Sequence, residues 1–181
     1  MAKKVLLLHG WGGSDFPHWQ SWLAAELAKD YGCVNFLRFS DVENPKLELW
    51  LKELQTALLD FKPDIVICHS LANTLWFHLC NQNKIANEIE KLYLVAPPSI
   101  ECSIAELSEF FPVTPPKYLF SKKSLLITST NDPYLSMTEA NELQKVLAIP
   151  MYTIENGGHI NADSGYGEWQ WIQQELKDSS F

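Results

Sequence analysis

The sequence has no run of Lys or Arg longer than two residues, and its formal net charge is −8. Proteins that bind nucleic acids carry a basic patch, and an acidic chain repels polyanions. No apolar run approaches the length that spans a bilayer, and only four consecutive apolar residues, Val5–Leu8, follow the basic start of the chain. The sequence therefore predicts no nucleic-acid partner, no membrane partner and no signal peptide.

Cysteine is sparse, with four residues and no CxxC pair. Disulfide frameworks and zinc sites need closely spaced cysteines, and HExxH or another paired-histidine spacing is also missing. We therefore expect no metal and no other cofactor. The cysteines are expected to be free thiols in a reducing compartment, with the cytoplasm as the predicted location. They are Cys33, Cys68, Cys80 and Cys102.

The 181 residues have an ordinary globular composition, with 46% hydrophobic and 20% charged residues. This length predicts one domain over residues 1–181. Short apolar runs, several without polar interruption, alternate with helix-period segments, which is typical of parallel strands buried on both faces. The predicted strands are Lys4–His9, Val34–Phe39, Asp64–Cys68, Lys91–Ala96, Ser124–Thr130 and Met151–Glu155. We expect an α/β fold, with an about six-stranded parallel sheet and helices on both faces.

Four helices are predicted from the spacing of apolar residues and from helix-boundary signals. Gly32 is the expected stop of the first helix, and Ser136 with Glu139 forms a predicted capping box at the start of the third. The predicted helical segments are Pro17–Tyr31, Pro45–Phe61, Ser136–Leu147 and a last helix that turns Trp169, Ile172 and Leu176 inward.

Chemically useful residues follow four of the predicted strands. The first strand leads into a loop containing Gly12 and Gly13, and the others lead to Ser70, Asp132 and His159. Ligands of parallel sheets bind at the carboxyl ends of the strands, so we expect these residues to meet there.

A serine, a histidine and an aspartate can together perform acyl transfer. A serine hydroxyl becomes nucleophilic when a histidine takes its proton, and a carboxylate orients that histidine. The order Ser70, Asp132, His159 is that of an α/β-hydrolase triad. Cys68 and Ala72 replace the glycines of G-x-S-x-G, so Ser70 could also be a helix N-cap.

Alternatives to two members of the triad remain. Asp163 is the main rival to Asp132 as the acid, and Asn-Asp-Pro at residues 131–133 could be turn chemistry alone. Four other histidines compete with His159, although a two-glycine loop favours His159. They are His9, His18, His69 and His78.

Several motifs resemble those of the small serine hydrolases of the retinoblastoma-binding-protein-9-like (YdeN-like) family. They are HGWGGS, DFPHWQSWL, CHSLA, NDPY and GGHINADSGYGEW, and the likeness extends from residue 5 to about residue 171. The resemblance implies an α/β-hydrolase core with a minimal lid. It also implies Ser70 as nucleophile, Asp132 as acid, His159 as base, and the amides of Trp11 and Leu71 as the oxyanion hole.

The substrate pocket is expected to be small and partly aromatic. Residues 99–123 lack strand character and can form only a short flap, with a capping box predicted at Ser103 and Glu106. The candidate pocket residues are Trp11, Phe16, Phe110, Phe111, Tyr134 and Ile160.

The predicted function is hydrolysis of a small-molecule acyl substrate, an ester, thioester or activated amide. The alternative is a protein-interaction module that keeps the hydrolase fold, with the aromatic residues of 99–123 as its contact surface, although no feature points to a protein partner. A dinucleotide-binding domain is a weaker rival, because Asp15 occupies the third glycine position of G-x-G-x-x-G and would face a pyrophosphate.

Overall fold

The computed structural model describes residues 3–29 and 32–177. Its sheet has six strands in the order β2-β1-β3-β4-β5-β6, and every neighbouring pair is parallel. The strands are β1 (Lys4–Leu8), β2 (Cys33–Leu37), β3 (Ile65–His69), β4 (Ile89–Val95), β5 (Ser121–Ser129) and β6 (Met151–Ile154). The predicted sheet is confirmed, with strand ends displaced by at most three residues.

Five helices cover the two faces of this sheet. They are α1 (Trp19–Lys29), α2 (Leu47–Phe61), α3 (Leu71–Asn81), α4 (Met137–Leu147) and α5 (Gln170–Lys177). Buried side chains of α2, α3 and α4 share one hydrophobic cluster, whereas those of α1 and α5 belong to a second cluster on the opposite face. Alternate residues of β1 enter the two clusters, which is why its sequence is apolar without interruption.

The helix-boundary signals have mixed outcomes. Ser136 forms the predicted capping box with Glu139, because each side chain binds the backbone N–H of the other residue. The Gly32 amide donates to the carbonyl of Leu27, 3.1 Å away, as expected of a helix stop. The predicted end of the first helix at Tyr31 lies outside the described residues.

The capping box predicted at Ser103 is wrong. A single 3-10 turn, Ala105–Leu107, forms there, and its N-cap is Ile104, which makes no side-chain cap bond to any described residue. Leu107, at the end of this turn, and Phe110 enter the core beside α2 and α3. Residues 99–120 therefore form a short flap that is anchored to the core.

A bilayer-spanning helix is not found within residues 3–29 and 32–177, since none of the helices there is both long and apolar enough.

Candidate active site

Ser70 lies on a sharp turn between β3 and α3. Its φ of 54° and ψ of −124° are strained for a residue with a side chain. Ser70 is the N-cap of α3, but its hydroxyl makes no cap bond to any described residue. The Oγ lies instead 2.8 Å from Nε2 of His159. The turn thus presents the hydroxyl to a base, and the helix-cap interpretation does not account for it.

Gly10, at the end of β1, makes room for this turn. A Cβ on Gly10 would lie 2.7 Å from Cβ of Ser70 and 3.1 Å from its Oγ. Real Cβ atoms do not approach other atoms so closely, so only glycine fits beside the serine. The sequence alone does not reveal this requirement, because it depends on β1 and β3 being neighbours in the sheet.

His159 joins Ser70 to Asp132. Nδ1 of His159 lies 3.0 Å from both carboxylate oxygens of Asp132, and both side chains are almost completely buried. Because a carboxylate accepts, Nδ1 carries the proton and Nε2 turns its lone pair to Ser70. Tyr134 covers the pair, with its ring 4.6 Å from that of His159 and its amide donating to Asp132. This arrangement can activate a hydroxyl group.

Each of the four other histidines makes a hydrogen bond to a backbone group, and none of these bonds is to Ser70. His9 accepts from the amide of Phe39, and its Nδ1 binds the carbonyl of Gly10. His69 binds the carbonyl of His159, and His78 binds that of Phe110. Nδ1 of the fourth, His18, accepts from the amide of Gln20.

Asp163, the rival acid, lies in a 3-10 turn, Ala162–Ser164, on the cavity wall. The carboxylate that reaches His159 is that of Asp132.

The two residues expected to supply oxyanion-hole amides, Trp11 and Leu71, line the same cavity as Ser70. Leu71 is the first residue of α3, where amides lack intrahelical acceptors and the helix dipole favours negative charge. In the β1 loop, Gly12 donates to Val42 and Gly13 to Gly10. The Trp11 amide between these glycines and Gly10 donates to no acceptor within residues 3–29 and 32–177. Trp11 and Leu71 both line the cavity around Ser70.

The cavity has a volume of about 400 Å³ and two unlike walls. One wall is largely apolar and comes from the residues after β4: Pro98, Cys102, Ile104 and Leu107. The other is mostly polar: Ser14, Asp15, His18, Asn161 and Asp163. Among the described lining residues there is no Lys or Arg. Sequence reasoning missed the apolar wall, although the i, i+3 spacing of Ile104 and Leu107 was a usable signal.

Only two of the six candidate pocket residues, Trp11 and Tyr134, line this cavity. Phe110 is buried against Trp50, with ring centroids 5.6 Å apart. Ile160 is buried in the core cluster of α1 and α5. Phe16 and Phe111 do not line the cavity either.

Phe16 is 82% exposed and is not among the residues that line the cavity, and Phe111 packs half-buried against the core. Phe110 and Phe111 of the flap pack into the core beside α2 and α3, whereas Tyr118 of the same flap is 53% exposed. Tyr118 is therefore the aromatic residue of this surface that is open to a protein partner.

Burial keeps three histidines near Ser70 neutral. It lowers the pKa of His18 to about 4, with smaller contributions from His159 and His9. It also lowers the pKa of His9, and holds that of His69 well below the ordinary value. The ring of His69 lies 4.8 Å from that of His18 and 5.3 Å from that of His159. His69, which lies beside His159, and His18, which lies beside His69, are thus uncharged at neutral pH.

These lowered pKa values predict a loss of stability in mild acid. The unfolded chain binds a proton at His18 near pH 6.5 whereas the folded protein does so near 4, so stability falls as pH drops through that window. For His18 alone the free energy of unfolding should be about 2 kcal/mol lower at pH 5 than at pH 7.5. Urea unfolding at both pH values measures it.

His18→Asn is the matched variant for this measurement, because asparagine does not titrate and its side-chain oxygen, near the position of Nδ1, can still accept from the amide of Gln20. Its loss between pH 7.5 and 5 should be smaller than that of the wild type by about 2 kcal/mol. Equal losses in the two proteins would contradict the prediction.

The sequence and the fold of this chain are similar to those of known proteins. A family model described as serine hydrolase matches residues 5–178. YdeN of Bacillus subtilis (strain 168) is 22% identical over 171 residues, 92% of this chain and 90% of YdeN. The crystal structure of the ydeN gene product has a TM-score of 0.86 at 21% identity and covers 97% of both chains.

Two further crystal structures share the fold. A protein described as YdeN-like from Pectobacterium atrosepticum has a TM-score of 0.73 at 23% identity, covering 97% of this chain and 89% of its own. The esterase domain of a Rhodothermus marinus protein has a TM-score of 0.66 at 12% identity, covering 96% and 84%. The predicted α/β-hydrolase fold and the resemblance to YdeN-like proteins are therefore confirmed.

Proposed function

Because the chain belongs to the serine hydrolase family, we propose that Ser70 is the nucleophile that cleaves small esters, thioesters or activated amides. His159 is the general base, and Asp132 orients it. The observation that carries this proposal is the bonded series from Ser70 Oγ to His159 Nε2, 2.8 Å, and from His159 Nδ1 to Asp132, 3.0 Å. A base within this distance of the proton that it removes meets the first requirement of general-base catalysis.

The reaction has two halves that share the same groups. His159 takes the proton of Ser70 as Oγ attacks the substrate carbonyl, and the amides of Leu71 and Trp11 donate to the tetrahedral oxyanion. The bond to the leaving group breaks as His159 returns the proton to it, leaving an acyl-serine. Water then attacks the carbonyl carbon of the acyl-serine as His159 takes a proton from it. The bond to Ser70 Oγ breaks as His159 returns this proton to Oγ, and the acid departs.

The size and the lining of the cavity favour a small substrate that is uncharged or cationic. A space of about 400 Å³ lies at the lower end of the range for small-molecule sites. Its described lining has no Lys or Arg, and of its two carboxylates Asp15 is paired with Arg38 at 2.9 Å, so the charge that disfavours an anionic substrate is that of Asp163. The apolar wall at Ile104 and Leu107 is suited to an acyl chain.

Labelling with a fluorophosphonate tests the proposal, because this electrophile loses fluoride only to an activated serine. Wild-type protein should be labelled in its folded state and not after denaturation, and mass spectrometry should locate the adduct on Ser70. Ser14→Ala is the matched control, since Ser14 also lines the cavity and its Oγ binds no described residue. This variant should be labelled like the wild type.

Absence of labelling would sink the proposal and favour the protein-interaction module. An adduct on Ser14 would instead move the nucleophile to another position. Either result is separable from misfolding, because circular dichroism of the same samples reports the fold.

We also infer that the protein works in a reducing compartment such as the cytoplasm. All four cysteines are free thiols. Burial raises the pKa of the Cys68 and Cys80 thiols, so neither presents a thiolate. Small domains of oxidising compartments commonly use cysteine in disulfides, and this chain does not.

A further inference from the structure

The residues directly before Ser70 and Asp132 both bind the backbone around His159. Nε2 of His69 lies 3.1 Å from the carbonyl oxygen of His159. Oδ1 of Asn131 accepts from the amide of Gly158, 2.7 Å away. The carbonyl of His159 and the amide of the preceding residue, Gly158, are therefore bound by neighbours of the other two proposed triad members.

His69 can act only as a donor in its contact with His159. A carbonyl oxygen accepts, so Nε2 of His69 must carry the proton. Burial lowers the pKa of His69 well below its ordinary value, so the ring remains neutral and this single tautomer persists. His69 is only 4% exposed, so bulk water has little access to replace it.

This bond closes a ring of contacts around the proposed nucleophile and base. His69 holds the main chain of His159, and Ser70, the next residue, receives the side chain of His159. Moving the loop of His159 would break both contacts together. The imidazole is thus fixed relative to Ser70 by two consecutive residues of one strand end.

Asn131 belongs to a second set of contacts, between the loops that follow β5 and β6. Thr130 Oγ1 accepts from the amide of Asn156, Asn131 binds Gly158, and Asp132 binds His159. The oxygen of Asn131 also accepts from the hydroxyl of Ser129, 2.9 Å away, which orients the amide. These contacts fasten a loop whose two glycines, residues 157 and 158, would otherwise leave it loose.

We propose that His69 and Asn131 are positioning residues, which hold the backbone of His159 so that its ring stays between Ser70 and Asp132. The proposal rests on the proposed function, since it assigns these residues a role through the base. Proton transfer demands a fixed donor–acceptor geometry, and a displacement of about 1 Å can cost about 100-fold in rate. Asn131 is exposed, so water can partly replace it and its effect should be the smaller of the two.

The test compares variants that remove or keep the donor. His69→Phe keeps a ring and loses the N–H, whereas His69→Gln keeps an N–H near the position of Nε2. On a p-nitrophenyl ester, His69→Phe should lower kcat and the fluorophosphonate labelling rate about 10- to 100-fold with KM almost unchanged. His69→Gln should recover most of this loss, and Asn131→Ala should lose about 3- to 10-fold.

Matched controls come from α3. His78 binds the carbonyl of Phe110 at 2.9 Å, and Asn81 donates to that of Thr114 at 2.8 Å, so both make similar bonds outside the site. His78→Phe and Asn81→Ala should leave kcat within about twofold of the wild type. If His69→Phe does not fold, His69→Asn gives the same comparison, because its amide is too short to reach the carbonyl.

A second readout separates positioning from general stability. In a His159→Ala background, His69→Phe should cause no further loss of residual rate, because its effect passes through the missing ring. A further loss there, or equal losses in His69→Phe and His78→Phe, would overturn this proposal alone. An unlabelled wild type would overturn the proposed function and this proposal with it.

Discussion

Replacing Ser70 with alanine should lower turnover of a short ester on the order of 10⁶-fold, which is typical when a triad serine is removed. The substitution deletes the proposed nucleophile and leaves only substrate binding and the proposed oxyanion stabilisation. The fold should persist, because the hydroxyl of Ser70 caps no described amide of α3 and alanine keeps the same backbone strain. Initial rates and thermal melting on one preparation measure both effects.

Ser14→Ala is the control for this experiment. It removes a hydroxyl from the same cavity without touching the Ser70–His159 bond, so its turnover should stay within about tenfold of the wild type. Retention of more than about one thousandth of wild-type turnover by Ser70→Ala would mean that another group performs the attack.

Gly10→Ala should also abolish most activity, for a steric reason. The new Cβ would meet Cβ of Ser70 at 2.7 Å and the carbonyl oxygen of His69 at 3.2 Å, so the turn must move. A shift of this kind carries Oγ away from His159, and a loss of at least about 100-fold in the labelling rate is expected. Overpacking of this type also costs about 1–3 kcal/mol of stability.

Gly32→Ala separates the two effects of Gly10→Ala. Its Cβ would lie 2.6 Å from the carbonyl oxygen of Leu27, a comparable clash at the far end of α1. This variant should lose stability and still be labelled at the wild-type rate while folded. If Gly10→Ala were also labelled normally, the proposed crowding at Ser70 would be wrong.

The parts of the site that could be predicted are those that follow from the strand pattern. Ser70, Asp132 and His159 each follow a predicted strand, and parallel strands bring their carboxyl ends to one edge. The structure places the three side chains in hydrogen-bonded series. The strand pattern alone was enough to suggest this meeting.

The pocket wall could not be predicted in the same way. Phe110 and Ile160 are apolar residues near the site, and their sequence does not say whether they turn to the cavity or to the core. The flap folds Phe110 onto Trp50, and Trp19 donates to the carbonyl of Ile160 while Ile160 itself is buried. These choices depend on contacts between distant segments, as does the closeness of Gly10 to Ser70.

The order of the strands assigns unequal mechanical roles to the triad members. Ser70 and Asp132 follow β3 and β5, which are paired on both sides, whereas His159 follows β6, an edge strand of four residues. Edge segments open with less free energy than central ones. The proposed base is therefore attached to an edge strand, which opens with less free energy than the central strand that carries the proposed nucleophile.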